Sequence, residues 1–163
     1  MKLLFLERFQ PLLKITEKAL VTHLKEGLVI IGILDALEHF TPNNLLTGGE
    51  RAAMIAYSLK IYPQISSTSY LIIPIPNCEL KGLLVDHICG LVPKFDKILT
   101  PYLEIRKLFI EKGFESDLYP VSISSFSKNE WLDVLQDTDL ISPAVREYIQ
   151  SLSIKQRINR VFP

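Results

Sequence analysis

The 163-residue sequence has few cysteines, no excess of charge of either sign and no long hydrophobic segment. Its two cysteines, Cys78 and Cys89, form no Cys-x-x-Cys motif and have no pair of histidines at ligand spacing nearby. We therefore expect buried, reduced thiols and no metal site. Lysine plus arginine and aspartate plus glutamate number 18 each, so the net charge is zero. This balance argues against the basic surface typical of proteins that coat nucleic acid and leaves open a local basic cluster.

The apolar start of the chain is short. Residues 1–6 are followed at once by Glu7 and Arg8, which makes this segment too short for a signal peptide or a membrane span. We interpret it as a buried first strand and predict a cytoplasmic protein with no membrane partner. A hydrophobic content of 48% and a mean hydropathy of +0.22 argue against disorder. The length fits one domain with a single sizeable core.

Short apolar runs alternate with amphipathic stretches, which is typical of βαβ units around a parallel sheet. Strands are predicted at residues 2–6, 28–34, 70–75, 97–99 and 114–118. Helices are predicted between them, at residues 13–25, 47–59, 80–91 and 100–112. The sequence thus predicts a single α/β domain over residues 1–163. We expect a three-layer α/β/α sandwich with a parallel sheet of about five strands and a small helical C-terminal subdomain from about residue 127.

Four segments predict where helices begin. Thr47 to Glu50 and Ser127 to Glu130 have the sequence of a capping box, in which the first and fourth residues bond each other's backbone N–H. Thr100-Pro101 and Ser142-Pro143 predict helices with proline at the first position. The helices begun at Ser127 and Ser142 are the last two that the pattern predicts.

In open parallel sheets, ligands lie beyond the carboxyl ends of the strands, where the strand order reverses. This rule predicts three ligand-facing segments: the turn after the first strand, the loop after Leu34 and the segment after Leu118.

The first of these segments, Arg8-Phe9-Gln10-Pro11, resembles the start of the archaeal nicotinamide-nucleotide adenylyltransferases. That family has Gly-Arg-Phe-Gln-Pro followed by His-x-Gly-His. Residues 45–51 (LLTGGER) are similar to its Pro-Phe-Thr-Ala-Gly-Glu-Arg, and residues 73–76, 91–96 and 102–113 continue the resemblance in order. The resemblance implies a Rossmann-like nucleotidyltransferase fold, a place in NAD biosynthesis, and a nucleotide partner such as ATP, nicotinamide mononucleotide (NMN) or NAD.

Both histidines of the family motif are replaced. Leu13 and Thr16 stand in their places, Ile15 in the place of the glycine between them, and Glu7 in that of the preceding glycine. In the family, the imidazoles stabilise the triphosphate and the charge that develops during adenylyl transfer. Loss of one preorganised donor of this type costs about 10²–10³ in rate. The resemblance therefore supports no catalytic residue here and implies impaired or lost adenylyl transfer.

Two further family features are altered. The phosphate-binding Ser-Gly-Thr followed by Ile-Arg corresponds at best to residues 124–128, with Phe126 in the place of the threonine and Asn129 in that of the arginine. Leu84 falls near the family's nicotinamide-stacking tryptophan. A cleft filled by Leu13, Phe126 and Leu84 would exclude an enzyme.

Seven residues are candidates for nucleotide binding: Arg8, Phe9, Gln10, Lys14, Arg51, Ser124 and Ser125. Lys14, Arg8 and Lys128 are the candidates to replace the charge of the lost motif residues. Arg8, Phe9 and Gln10 either touch a nucleotide or only pack the turn, with Phe9 in the core. Arg51 either binds a phosphate or is a surface residue paired with a neighbouring carboxylate such as Glu50. Ser124 and Ser125 either bind phosphate or simply precede the helix capped at Ser127.

The histidines and the basic tail have simpler explanations. We expect His39 in a solvated loop, and His23 and His87 as partly buried structural residues. The tail, with Lys155, Arg157 and Arg160, is expected to be the solvated face of a terminal helix; an anion or an acidic partner is the alternative. The tail has no interleaved aromatic residues, which argues against single-stranded nucleic acid.

Three hypotheses of function stay open. In the first, the chain binds a nucleotide but does not catalyse adenylyl transfer. In the second, it is a divergent enzyme that makes a dinucleotide from ATP, with Mg²⁺ on the phosphates. In the third, it is a non-catalytic subunit of a homo-oligomer. No nucleic acid, membrane or resident metal is expected in any of them.

Overall fold

The structure is a computed structural model that describes residues 1–120, 126–136 and 139–163. Its sheet has five parallel strands in the order β3-β2-β1-β4-β5. The strands are β1 (Lys2–Glu7), β2 (Leu28–Ile33), β3 (Tyr70–Pro74), β4 (Lys97–Thr100) and β5 (Glu115–Leu118). β1 is central, with Phe5 paired to Ile31 on one side and to Leu99 on the other.

Seven α-helices lie within the described residues, and the first six follow the predicted order. They are α1 (Lys14–Leu24), α2 (Gly48–Leu59), α3 (Leu84–Leu91), α4 (Leu103–Glu111), α5 (Lys128–Val134), α6 (Pro143–Gln150) and α7 (Ile154–Val161). A single 3-10 turn, Lys81–Leu83, precedes α3. Among the described helices, none has the length and apolar content needed to cross a membrane. The predicted α/β sandwich is confirmed.

The central strand is buried on both faces because helices cover the sheet on both sides. Leu3 and Phe5 pack into a core with α1 and α2, while Leu4 and Leu6 pack into a second core with α3 and α4. Alternate residues of a strand point to opposite faces, so a continuous apolar run is needed to fill both.

Both predicted capping boxes are present. The Thr47 hydroxyl accepts a hydrogen bond from the Glu50 N–H at 3.1 Å, and the Glu50 carboxylate accepts from the Thr47 N–H at 2.8 Å. Ser127 and Glu130 make the same pair of bonds at the start of α5. The free N–H groups at both helix starts are thereby satisfied from within the local sequence.

Two predictions about the helices are wrong. Pro101 does not begin α4, because Thr100 is the last residue of β4 and its hydroxyl accepts from the Tyr102 N–H at 3.4 Å, which forms a turn before Leu103. The C-terminal region holds a third helix as well, since the left-handed backbone of Ser153 (φ 52°) separates α6 from α7.

The C-terminal helices pack on the first layer of the sandwich. Their buried residues Trp131, Val145 and Ile158 belong to the same core cluster as α1 and α2. That arrangement leaves the carboxyl edge of the sheet as the place where loops from several strands meet.

Candidate functional site

The candidate site lies at the carboxyl edge of the sheet, around the end of β1. After β1 the chain passes into α1, which packs against β2, whereas after β4 it passes into α4 on the opposite face. The strand order reverses between β1 and β4, and this reversal is where open α/β sheets bind ligands.

Two of the predicted binding residues pack the turn after β1. Phe9 is fully buried in the core with Phe5. Gln10 is held by Leu46, since its amide donates to the Leu46 carbonyl at 2.8 Å and accepts from the Leu46 N–H at 2.9 Å. Both side chains therefore make the contacts expected if they only pack the turn, and their role in nucleotide binding stays a prediction.

Arg51 is fully buried, so the alternative of a surface arginine is wrong. Its guanidinium donates to backbone carbonyls at 2.7–3.3 Å; the acceptors are Arg8, Leu34, Asp35, Glu38 and Thr47. Burial lowers the pKa of Arg51 to about 10, which leaves it charged at neutral pH. In this geometry Arg51 holds the turns after β1 and β2 together, and its direct contact with a phosphate stays a prediction.

An open cleft of about 540 Å³ lies beside the ends of β2, β3 and β4. This volume is within the usual range for small-molecule sites. Its apolar wall includes Leu34, Ile75, Leu84, Pro101 and Ile105. Its polar side chains include Arg8, Asp35, Asn77, Lys81 and Glu104. An apolar wall with a few polar groups suits a ligand that has a ring and a charged group.

Arg8 is the predicted binding residue that faces this cleft. Its Nε lies 2.8 Å from the Asp35 carboxylate, with 32% of the Arg8 side chain and 27% of the Asp35 side chain exposed. The guanidinium carbon also lies 5.6 Å from the centre of the Tyr102 ring. The charge of Arg8 is therefore directed at the mouth of the cleft but is shared with a carboxylate.

Lys81 adds a positive charge that has no such partner. It is exposed on the 3-10 turn before α3, and it makes no ion pair with any residue that the structure describes. Asn77, by contrast, donates to Glu38, and Glu104 faces Lys107 at 3.8 Å. In the described lining, Arg8 and Lys81 balance the charges of Asp35 and Glu104, and Lys81, which has no ion-pair partner there, is the cation most open to an anionic group of a ligand.

A second cavity, directly beyond β1, is almost filled. Its volume is only about 10 Å³, and it is lined by Glu7, Leu13, Tyr102 and Phe126 together with the turn of residues 8–11. Leu13 is 6% exposed and Phe126 is 3% exposed. Leu13 and Phe126 therefore fill this cavity, whereas Leu84 lines the open cleft, so the three residues do not fill one cleft together. We call this cavity the crevice.

Glu7 is a buried carboxyl at the crevice, with 5% of its surface exposed. The Tyr119 hydroxyl donates a hydrogen bond to it. Burial raises the pKa of Glu7 to about 8, and the nearby Thr16 hydroxyl lowers it slightly without completing a hydrogen bond of good geometry. With this pKa, Glu7 is mostly neutral at pH 7. Burial and, at the higher pH where Glu7 is ionised, the charge of Glu7 raise the pKa of Tyr102 to about 12.

Among the residues that the structure describes, the remaining predicted site residue Lys14 does not line the cleft. Lys14 Nζ lies 3.5 Å from the exposed Asp139 carboxylate. Ser124 and Ser125 lie outside the described residues, so their predicted role stays a prediction. Lys128, whose charge could replace that of the lost motif residues, donates to the Phe162 carbonyl at 2.7 Å.

The three histidines lie where they were expected. His39 is exposed in a loop, and its Nδ1 is 3.0 Å from the Leu37 carbonyl. His23 and His87 are partly buried, beside Glu26 and the Pro76 carbonyl respectively.

The basic tail is partly engaged rather than fully solvated. Arg157 makes a two-pronged ion pair with Glu50 at 2.7 and 2.8 Å, and its guanidinium lies over the Phe40 ring. Glu50 therefore pairs with the tail and not with Arg51. Burial raises the pKa of Glu50, but Arg157 and the capping bonds from Thr47 together outweigh this effect, so the pKa lies below its usual value.

The described residues offer no ligand set for a resident metal. Within the described ranges, no group of three or more histidine, cysteine, aspartate or glutamate residues could hold an ion. The Asp35 carboxylate at the cleft already binds Arg8. Both cysteines are free, as expected, but Cys89 is exposed and Cys78 is half-buried, so the prediction of buried thiols is wrong. Mg²⁺ would enter only on the phosphates of a bound nucleotide.

Sequence reasoning missed Asp35, Lys81 and Tyr102 at the cleft. Asp35 follows the apolar run of β2 directly, in one of the three predicted ligand-facing segments, so the rule could have selected it. Lys81 and Tyr102 carry no such signal, because their positions depend on how the loops fold over the sheet.

No family model matches the chain. Curated relatives do match, over almost its full length. The nicotinamide-nucleotide adenylyltransferase of Pyrococcus furiosus is 31% identical, covering 95% of this chain and 86% of the relative. The enzymes of the same name from Thermococcus kodakarensis and Pyrococcus horikoshii are each 29% identical, with at least 95% of this chain covered.

Solved structures share the fold. A bifunctional NMN adenylyltransferase/ADP-ribose pyrophosphatase from Francisella tularensis superposes with a TM-score of 0.74 over 98% of this chain, at 14% identity. A structure of a Francisella tularensis protein of the same description, complexed with AMP and a manganese ion, gives a TM-score of 0.71. The chain spans about half the length of these two proteins.

Proposed function

Because the chain belongs to the nicotinamide-nucleotide adenylyltransferase family, we propose that it binds a nucleotide in its open cleft and that its adenylyl transfer is impaired or lost. The filled crevice carries this proposal. The family resemblance places two imidazoles beside β1, and this chain has Leu13 and Thr16 in their places; Leu13 lines a cavity of about 10 Å³, and Thr16 is fully buried. Neither side chain can supply the charge that stabilises a transferring phosphate.

Arg8 and Lys81 are the groups we assign to the ligand's phosphate. The Arg8–Asp35 pair is partly exposed, and such pairs contribute about 0–1 kcal/mol. Exchange of Asp35 for a phosphate oxygen replaces one partly exposed ion pair by another, so Arg8 can change partner at little net cost, and Lys81 needs no exchange. The base or ring of the ligand would then lie against the apolar wall.

Calorimetric titration tests this assignment. We expect wild-type protein to bind NMN, AMP or NAD with a dissociation constant below about 1 mM, which corresponds to about 4.1 kcal/mol of binding free energy. Arg8→Ala should weaken that binding about tenfold or more. The matched control is Arg160→Ala, an exposed arginine of the tail that does not line the cleft. The absence of binding by all three nucleotides at millimolar concentration would refute the proposal.

A second candidate is a divergent but active nucleotidyltransferase that makes a dinucleotide from ATP. The observation in its favour is the 31% identity to a named adenylyltransferase over 95% of the chain. Under this candidate, Arg8 would have to replace the lost imidazoles. The test is incubation of the protein with ATP, NMN and Mg²⁺. Release of pyrophosphate above that of a heat-inactivated control would support this candidate over a protein that has lost adenylyl transfer.

A further inference from the structure

We propose that Glu7 is a specificity-determining residue that keeps phosphate chains out of the crevice, so that the nucleotide taken by this chain is a monophosphate bound in the open cleft. This inference rests on the proposed function, since the ligand of the cleft is a nucleotide. The inference concerns the side chain of Glu7 and its hydrogen bond to Tyr119. This contact is separate from the replacement of the two motif histidines.

The volume of the crevice is the first argument. A cavity needs about 10–15 Å³ to hold even one water molecule. The crevice has about 10 Å³, so it has no room for one phosphate group, and still less for a chain of three. The neighbouring cleft, at about 540 Å³, has that room. Arg8 and Tyr102 line both spaces and separate them.

The position of Glu7 is the second argument. Glu7 is the last residue of β1, and its hydrogen bond to Tyr119 reaches the segment that follows β5. Tyr119 also donates its backbone N–H to the Thr100 carbonyl at the end of β4, at 3.4 Å. The contact between Glu7 and Tyr119 therefore extends from the end of β1 across the end of β4. The strand order reverses between these two strands, and a ligand would otherwise enter there.

The chemical state of Glu7 decides how the exclusion works. With a pKa of about 8, Glu7 is mostly neutral at pH 7. Its effect at neutral pH then comes from the volume of the carboxyl and its bond to Tyr119, and not from charge repulsion. A side chain of equal size and no charge should exclude phosphate equally well. This expectation separates the space-filling role of Glu7 from an electrostatic one.

The experiment is a calorimetric titration at pH 7 with three probes: AMP, ATP and inorganic triphosphate. We expect wild-type protein to bind AMP, to bind ATP no more tightly than AMP, and to give no heat with triphosphate. In Glu7→Ala, affinity for ATP relative to AMP should rise about tenfold or more, and triphosphate should bind. Glu7→Ser is the second variant, for use if Glu7→Ala does not fold, because serine keeps a polar group toward Tyr119.

Two control variants complete the design. Glu7→Gln keeps the volume and a hydrogen-bonding group, so its ATP-to-AMP ratio should equal that of wild type. Glu17→Gln changes another buried glutamate, which accepts from Tyr62 and does not line the crevice, and it should also match wild type. Circular dichroism and a cooperative thermal transition check that each variant is folded.

The outcomes separate this inference from the proposed function. If wild type binds AMP but the ratio is unchanged in Glu7→Ala and Glu7→Ser, the inference is wrong and the proposed function stands. Binding of triphosphate by wild type also overturns the inference, as does a tenfold gain in Glu7→Gln. If wild type binds no nucleotide but Glu7→Ala binds triphosphate, the proposed function and the monophosphate ligand are wrong, and the exclusion of phosphate chains by Glu7 stands.

Discussion

Replacement of Glu7 by glutamine should change how the stability of the protein depends on pH. Burial raises the pKa of Glu7 from 4.5 to about 8 in the folded state. Between these two values the folded protein holds a proton on Glu7 that the unfolded chain has released. The free energy of unfolding of wild type therefore receives a contribution that is full below pH 4.5, falls as the pH rises, and is lost above pH 8. Glutamine has no proton to lose and so removes this contribution.

The magnitude follows from the size of the shift. One pH unit corresponds to 1.36 kcal/mol for one proton. The difference in unfolding free energy between wild type and Glu7→Gln should therefore change by roughly 2–3 kcal/mol between pH 5.5 and pH 7.5, in favour of the glutamine variant at the higher pH. The buried Glu17, whose pKa is also raised, adds to the slope of both proteins and cancels in the difference.

Urea unfolding followed by circular dichroism at four pH values from 5.5 to 8.5 is the assay. Glu111→Gln is the control, because Glu111 is exposed and its curve should run parallel to that of wild type. Parallel curves for wild type and Glu7→Gln would refute the reasoning, since they would mean that Glu7 releases its proton equally in the folded and unfolded states.

Three further changes test the contacts around the site, each by urea unfolding at pH 7. Arg51→Ala leaves five backbone carbonyls without their donor and should cost at least about 3 kcal/mol, at about 1–3 kcal/mol for each unsatisfied buried group; a cost under 1 kcal/mol would contradict its structural role. Thr47→Ala removes a helix cap and should cost about 1 kcal/mol, while an unchanged midpoint would mean that the cap is not formed. Gln10→Ala leaves the Leu46 backbone unpaired and should cost about 1–3 kcal/mol, whereas a neutral effect would argue for a solvated turn.

The fold could be predicted because local signals coincide with it. The run LVIIGIL predicts a strand covered on both faces, and Val29, Ile30 and Ile31 are fully buried in β2. The capping boxes at Thr47 and Ser127 need only residues three apart, and both are formed. The last helix, α7, was missed since only Ile154 and Ile158 are buried in it, which is too short an apolar pattern to predict.

The site was harder to predict because its contacts join distant parts of the chain. Arg51 follows a helix cap and has the sequence context of a surface residue, yet loops from two strands surround it with carbonyls. Glu7 follows an apolar run, and its partner Tyr119 lies 112 residues further along. No periodicity or motif records such pairs. The cytoplasmic location and the homo-oligomer stay predictions.

A crystal structure of the protein grown with millimolar AMP would test the central claim most directly. The account predicts the phosphate of AMP beside Arg8 and Lys81 in the open cleft, with the ring against the apolar wall and the contact between Glu7 and Tyr119 intact. A phosphate found in the crevice, with Glu7 displaced from Tyr119, would contradict it.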